Sequence, residues 1–285
     1  MIIVYKVISN KKISENSYEM IINAPLVIEK CIPGQFVIVM GKEDSERIPL
    51  TIYDVDKEKG ILSLIYQVIG ASTEEMTTIK DEIFAVAGPL GNENEICHNP
   101  KEFKGKRIVY IAGGVGIAPV YPQVKYLNEK GIKVDVIYGA RSANLLLIRD
   151  KIEKVAHKIR YATDDGSFGT KGFVTDILEK NINDYDIVVA IGPVIMMKNV
   201  AELTKKYNIK TIVSMNPLMV DGSGMCGACR CEIDGKPKFA CIHGPEFDGH
   251  QINFDLALKR MNIYKEEEKE KWNQMKKTLG GSKNE

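Results

Sequence analysis

Residues 221–229 read Asp-Gly-Ser-Gly-Met-Cys-Gly-Ala-Cys, and a further cysteine follows at 241. Asp221, Cys226 and Cys229 repeat the x4–x2 spacing with which a chain wraps a [2Fe–2S] cluster, with Cys241 as the distant fourth ligand. Gly222, Gly224 and Gly227 let the main chain run close to the cluster and aim N–H groups at its sulfurs. Asp221 stands where this spacing asks for a first cysteine, and its anionic oxygen keeps the ligand charge. Two other readings use the same stretch. Cys226, Cys229, Cys231 and Cys241 would make a four-thiolate zinc site, and Cys231 would replace Asp221 as the fourth cluster ligand. C-x2-C-x-C crowds three thiolates and leaves the glycines before Cys226 without a reason. The spacing therefore favours a cluster on Asp221 and three cysteines, with Cys231 a buried non-ligand. Cys31 and Cys97 stand alone and read as small buried hydrophobes.

A second set of residues suits phosphate. In Ile111-Ala112-Gly113-Gly114-Val115-Gly116-Ile117-Ala118-Pro119 an apolar strand runs into glycines that open a helix. Such a turn brings backbone and helix N-terminus against a pyrophosphate. It departs from G-x-G-x-x-G by having Pro119 at the last position, and glycine at strand–helix turns also serves purely steric needs. Gly192-Pro193 ends another strand of the same sheet, beyond which ligands bind. Dinucleotide binding is expected, with another phosphate ligand as the alternative. A third set is Arg47-Ile48-Pro49-Leu50-Thr51 and Tyr66-Gln67-Val68-Ile69-Gly70-Ala71-Ser72-Thr73. Ser72 and Thr73 serve equally as helix caps or as a phosphate cradle. His98, His157, His243 and His250 show no ligand spacing and read as surface or structural residues.

The elements that position these residues follow from patterning. Short strands punctuated by Pro, Gly and charged turns fill the first hundred residues, at Ile2–Ser9, Tyr18–Asn23, Phe36–Met40, Leu50–Tyr53, Leu62–Val68 and Glu82–Ala87. A helix is expected near Thr73–Ile79. This predicts an antiparallel β-barrel over 1–99. From 100 to 215, Val- and Ile-rich runs alternate with helices at Ala118–Glu129, Leu145–Val155 and Val194–Tyr207. That alternation predicts a doubly wound parallel α/β domain. Residues 216–253 form a small glycine- and cysteine-rich module, expected to depend on bound metal. Residues 254–285 make a charged helix and tail with a disordered tip from Gly280. There, Trp272, Met275 and Leu279 form an apolar stripe beside a Glu267–Lys271 pair. The stripe suits either a partner or the chain's own domains.

The 285 residues carry 39 Lys and Arg against 38 Asp and Glu, a formal charge of +1. That balance gives no reason to expect nucleic acid or an anionic membrane as partner. No run is long and apolar enough to span a bilayer, and clustered cysteines suit a reducing cytoplasm, where the protein is expected to reside.

Taken in this order, the three motif sets resemble flavin reductases of the ferredoxin–NADP reductase superfamily, in the branch of the dihydroorotate dehydrogenase electron-transfer subunits. The resemblance covers roughly residues 1–250. It implies that Pro49, Leu50 and Thr51, with Arg47, contact a flavin. The family's arginine sits one place nearer the proline than Arg47 does. It implies further that Ile65, Tyr66, Gln67, Gly70, Ser72 and Thr73 hold FAD. Gly113, Gly114, Gly116, Pro119, Asp164, Asp165, Gly192 and Pro193 fall on the nicotinamide-nucleotide side, where Arg141 is a further candidate. Asp at 221 and the charged tail look more like the small subunits of NADH-dependent reduced ferredoxin:NADP oxidoreductases. That resemblance implies NADH, FAD and a [2Fe–2S] cluster here. It also implies a heterodimer with a larger subunit carrying another FAD and two [4Fe–4S] clusters, through which ferredoxin is reached. No catalytic acid, base or nucleophile is required, because a flavin between nicotinamide and cluster supplies the redox chemistry. The alternatives are electron delivery to a dihydroorotate dehydrogenase, and a nucleotide-binding regulatory protein without redox turnover.

Overall fold

The computed structural model describes residues 5–281, and side chains as far as Lys277. The N-terminal strands are β1 (Tyr5–Lys12), β2 (Ser17–Asn23), β3 (Phe36–Met40), β4 (Arg47–Asp56), β5 (Ile61–Gln67), β6 (Glu82–Ile83) and β7 (Ala85–Leu90). Their alternation buries one face, as at Met20 and Ile22 of β2 and Leu62 and Leu64 of β5, all fully buried. Among the described residues these strands form one antiparallel sheet in the order β6-β1-β2-β5-β4-β3-β7. Its end strands, β6 and β7, are joined in the chain by Phe84 alone. The sheet therefore curls until its edges approach, giving the expected barrel. The strand expected at Glu82–Ala87 is thus two strands on opposite edges. Two short helices complete the layer, α1 (Pro25–Ile28), which the sequence reading missed, and α2 (Ala71–Met76). The helix expected near 73–79 begins two residues earlier, at Ala71. The first four residues of the expected strand region lie outside the described part.

After α3 (Glu95–His98) the pattern changes. The chain continues as β8 (Ile108–Gly113), α4 (Ile117–Glu129), β9 (Val134–Ala140), α5 (Arg149–Val155), β10 (Lys158–Thr163), β11 (Thr170–Lys171), α6 (Val174–Lys180), β12 (Ile187–Ile191), α7 (Val194–Lys206) and β13 (Lys210–Ser214). The strands are parallel in the order β11-β10-β9-β8-β12-β13. Both faces of β8 are covered. Val109 and Ile111 enter a core with Leu178 and Val200, while Tyr110 and Ala112 enter another with Val120 and Val124. Burial on both sides is why these strands read as continuous apolar runs. The helix expected over Leu145–Val155 is interrupted. Leu146 and Leu147 are buried, Ile148 takes a left-handed φ of 46°, and α5 starts only at Arg149.

The cysteine-rich segment folds as β14 (Arg230–Ile233), β15 (Lys236–Phe239), α8 (Ala240–His243) and β16 (Glu246–Asp248). β16 adds antiparallel to β13, with Phe247 opposite Val213. Cys229, Cys231, Ile233, Ala240 and Cys241 pack into the core that also holds Val213 and Ile38. The segment thus borrows the apolar core it is too small to build alone.

The tail forms α9 (Phe254–Met261) and α10 (Lys265–Gly281). Helix α10 lies against α2, so this chain's own barrel receives it. Trp272 and Met275 are half-buried, whereas the Leu279 side chain lies outside the described part. Lys271 pairs with Glu46 of the barrel rather than with Glu267. The expected disordered tip begins in helix, since α10 includes Gly280 and Gly281, and 282–285 are not described. No described helix is long and apolar enough to cross a membrane.

Candidate functional site

A cleft of about 1180 Å³ opens between the barrel and the carboxyl ends of the parallel strands. It sits where strand order reverses, between β8 and β12, the place where such sheets bind ligands. Its size exceeds the roughly 300–1,000 Å³ of ordinary small-molecule sites, and its length joins two domains, which suits more than one nucleotide. From the barrel come Pro49, Leu50 and Thr51 of β4, then Ile65, Tyr66 and Gln67 at the end of β5, and Thr73 of α2. Tyr66 is fixed by a stacked Tyr18, ring centroids 5.6 Å apart, and by a 3.0 Å bond from its hydroxyl to Asn10 Oδ1. From the α/β domain come Gly113, Gly114, Gly116 and Pro119, with Gly192 and Pro193 facing them. Arg141 follows β9 and Asp164 follows β10, and both reach the cleft.

Four expected residues do not line it. Arg47 is exposed on the barrel. The Ser72 hydroxyl donates to Glu46, and Gly70 lies beneath Thr73, whose Oγ1 accepts the Gly70 N–H at 3.2 Å. Asp165 turns back to accept the Ser167 N–H at 2.9 Å and hydroxyl at 2.6 Å. Those bonds, the Ser167 hydroxyl first, hold its carboxyl below the usual carboxylate range.

The glycine turn is shaped mainly by packing. A Cβ at Gly116 would lie 2.3 Å from the Ile191 carbonyl oxygen, so β8 and β12 can approach only if this residue is glycine. Gly114 differs, with φ +54° and open space around its Cβ position. No side chain caps α4, though the Ile117 N–H already bonds the Gly114 carbonyl and Pro119 carries none.

Sequence reasoning missed several parts of the wall. Among them are Asn16 and Ser17 where the β1–β2 turn enters β2, Phe173 and Thr175 around the start of α6, and the segment Ser214–Met219 except Leu218. Only the last carried a usable signal, its place just beyond a parallel strand. That segment runs straight into Asp221, so cleft and cysteine loop are continuous in the chain.

In the loop, the Asp221 carboxylate is held by backbone N–H groups and two cysteine sulfurs meet. Asp221 accepts the Ser223 N–H at 2.8 Å and the Cys226 N–H at 2.9 Å. Those bonds, the Ser223 one first, keep its carboxyl below the ordinary range. Cys229 and Cys241 stand with sulfurs 3.2 Å apart, and the Cys241 N–H points at the Cys229 sulfur at 3.5 Å. Burial and the Cys229 sulfur push the Cys241 thiol up to about 12. Among the described residues no three His, Cys, Asp or Glu side chains converge on one point. Gly222, Gly224 and Gly227 all have positive φ, as a chain wrapping a cluster requires. Cys231 is buried, its sulfur 3.8 Å from the Cys229 carbonyl, and burial pushes its thiol up to about 11.

Behind the cleft, Glu246 joins three parts of the molecule. Its carboxylate accepts Asn94 Nδ2 at 2.5 Å and Gln123 Nε2 at 2.9 Å. Burial pushes this carboxyl up to about 7, against the effect of those two donors. The four histidines are structural or on the surface, as expected. His250, for example, meets Thr204 at 3.1 Å, and the His243 Nδ1 accepts the Phe239 N–H at 3.1 Å. Cys31 and Cys97 are buried.

Known proteins agree with this layout. Residues 110–202 match the oxidoreductase NAD-binding domain, and residues 216–253 match the iron–sulfur cluster binding domain of dihydroorotate dehydrogenase B. A Thermotoga maritima homologue of the dihydroorotate dehydrogenase B electron transfer subunit is 40% identical over 281 residues, covering 97% of each chain. The Clostridium acetobutylicum electron transfer subunit is 34% identical over 253 residues, 87% of this chain and 96% of that one. A chain from the solved structure of an electron-bifurcating NADH-dependent reduced ferredoxin–NADP oxidoreductase superposes with a TM-score of 0.85 at 37% identity. The match covers 95% of this chain and 98% of the other. Matched over nearly its whole length by these relatives, the chain belongs to the family of dihydroorotate dehydrogenase B electron transfer subunits and their homologues, and is an oxidoreductase subunit.

Proposed function

We propose that this chain is the small subunit of an NADH-dependent reduced ferredoxin:NADP oxidoreductase, moving electrons between NAD(H), an FAD and a [2Fe–2S] cluster. The observation that carries this reading is the continuity of the site. One cleft runs from β4 and β5 past the glycine turn to Ser214–Met219, and the same segment enters the Asp221–Cys229 loop. The chemistry supplied by a flavin bound there is exchange between two-electron hydride transfer and one-electron transfer. The residues of this chain bind and orient. Pro49, Leu50, Thr51 and Tyr66 wall the flavin end, Gly113, Gly114 and Gly116 face a nucleotide phosphate, and Asp221, Cys226, Cys229 and Cys241 present anionic ligands. Arg141 and Asp164 face the nucleotide end. Arg141 and Ser142 are the residues that would meet a 2′-phosphate, but Ala143 and Asn144 follow and add no second cation, so NADH is the expected donor. All six cysteines are free, in keeping with a reducing cytoplasm.

The relatives are electron transfer subunits. The reading therefore includes a larger partner carrying flavin and [4Fe–4S] clusters, through which ferredoxin exchanges electrons. Anaerobic purification of the native complex tests it. The expected result is one FAD and about two irons per small chain, an equimolar larger flavin and iron–sulfur subunit, and faster flavin reduction by NADH than by NADPH. Stoichiometric zinc without iron, or a monomer that alone reduces its physiological acceptor at full rate, sinks the proposal. Co-purification of a dihydroorotate dehydrogenase instead would select the second reading that the family match supports.

A further inference from the structure

The C-terminal arm, which begins where the iron–sulfur domain match ends at residue 253, ties the two walls of the cleft together. Helix α9 is fastened to the α/β wall. It packs on α7, whose Ile195, Met196 and Asn199 line the cleft, and Asp255 pairs with Lys198 at 2.8 Å. Arg260 donates to the Ala228 carbonyl at 3.1 Å, so the cysteine loop holds α9 as well. Met261, the last residue of α9, lines the cleft and is itself exposed, which puts it at the rim. Asn262, Ile263 and Tyr264 alone separate α9 from α10, and α10 is seated on α2 of the barrel, whose Thr73 lines the barrel wall. From Met261 to Lys265 the chain spans at most about 15 Å, so the walls cannot part further there while both helices stay seated. Elsewhere the barrel and the α/β domain share a core through Tyr53 and Tyr121, ring centroids 5.3 Å apart, which leaves the rim as the place where they can part.

The two seats differ in strength. Phe254 anchors α9 in the core that holds Val213. Among its described residues α10 has two half-buried side chains, Trp272 and Met275, and the exposed Lys271, which pairs with Glu46 and lies in the field of Glu75 of α2. With few buried contacts, α10 is the seat that opens first. We propose that the C-terminal arm is a strap over the mouth of the cleft, and that α10 must leave α2 before a flavin enters or departs. The inference rests on the flavin reading above. A strap obstructs entry and exit alike, so releasing it raises both rates. Loss of a cofactor contact, or a loosened fold, raises the exit rate alone.

The test uses the full-length chain, stripped of flavin, with FAD uptake and release followed by flavin fluorescence. Seating of α10 is read from the emission of Trp272, the single tryptophan. Lys271→Glu sets three carboxylates together at the seat. It should shift the Trp272 emission to the red and raise both FAD rates about three- to tenfold, and high salt should narrow the gap to wild type. Adding Glu46→Lys reverses the pair and should restore wild-type emission and rates. Trp272→Ala with Met275→Ala, which empties the apolar seat, should also raise both rates. Rates equal to wild type in both Lys271→Glu and the apolar double variant overturn the inference, as does faster release without faster uptake. A wild-type chain that takes up no FAD overturns the flavin reading itself, and this inference with it.

Discussion

Replacing Glu246 with Gln should remove a pH dependence that the fold creates at the meeting point of its three parts. Asn94 comes from the N-cap of α3, Gln123 from α4, and Glu246 from β16. Glu95, itself paired with Lys210, adds a further negative field, which raises the Glu246 carboxyl beyond what burial does. From the usual 4.5 to about 7, at ~1.4 kcal/mol per pH unit, the ionised form is disfavoured in the fold by about 3 kcal/mol. Below pH 4.5 both folded and unfolded chains are protonated at this group, and its full stability is present. As pH rises toward 7 the unfolded chain releases the proton while the fold keeps it, so stability falls, and above 7 the loss is complete.

The glutamine variant has no such loss. Its oxygen keeps Asn94, and its amide donates to Gln123 Oε1, a buried acceptor with no partner among the described residues, once the Gln123 amide flips to turn that oxygen toward it. Wild type and Glu246→Gln should therefore be similarly stable near about pH 5, and the variant more stable by up to ~3 kcal/mol near about pH 8. Parallel thermal unfolding of both full-length proteins across that range, at matched cofactor content, gives the difference directly. A protonated-carboxyl infrared band present in wild type and missing from the variant at the acid end would assign it. A stability difference that stays constant with pH refutes the reasoning, because only a shifted ionisation makes the two curves diverge.

Two further substitutions test the site. Gly116→Ala forces a Cβ to 2.3 Å from the Ile191 carbonyl, backbone that cannot swing aside. It should cost about 1–3 kcal/mol by thermal unfolding and abolish NADH titration, and a variant that binds NADH normally would show that β8 and β12 can part. Asp221→Cys should keep the cluster while changing its EPR spectrum, and Cys231→Ser should retain full iron. Iron lost from Cys231→Ser but kept in Asp221→Ala would mean that the fourth ligand is misassigned.

What the sequence determined by itself is what depends on near neighbours along the chain. Turn residues between short apolar segments made the barrel strands legible, and apolar runs separated by helices made the parallel sheet legible, because both signals are local. The x4–x2 spacing from Asp221 was equally local, and the glycines at 222, 224 and 227 do adopt the positive φ that the spacing calls for. Tertiary structure decided what depends on residues far apart. The break at Phe84 was invisible because both flanking strands look alike, and only the closed sheet puts them on opposite edges. Gly116 read as a phosphate glycine, yet its immediate need is room for Ile191, 75 positions away. Lys271 has Glu267 one helical turn before it, the pair that local spacing favours, but packing of α10 on α2 offers Glu46 instead. Glu246 carries no local sign of its raised carboxyl, since its burial and both hydrogen-bond donors arrive from segments more than 120 residues away. Side-chain periodicity is set by the backbone within a few residues, whereas charge pairing and desolvation are set by whichever surfaces the fold brings together.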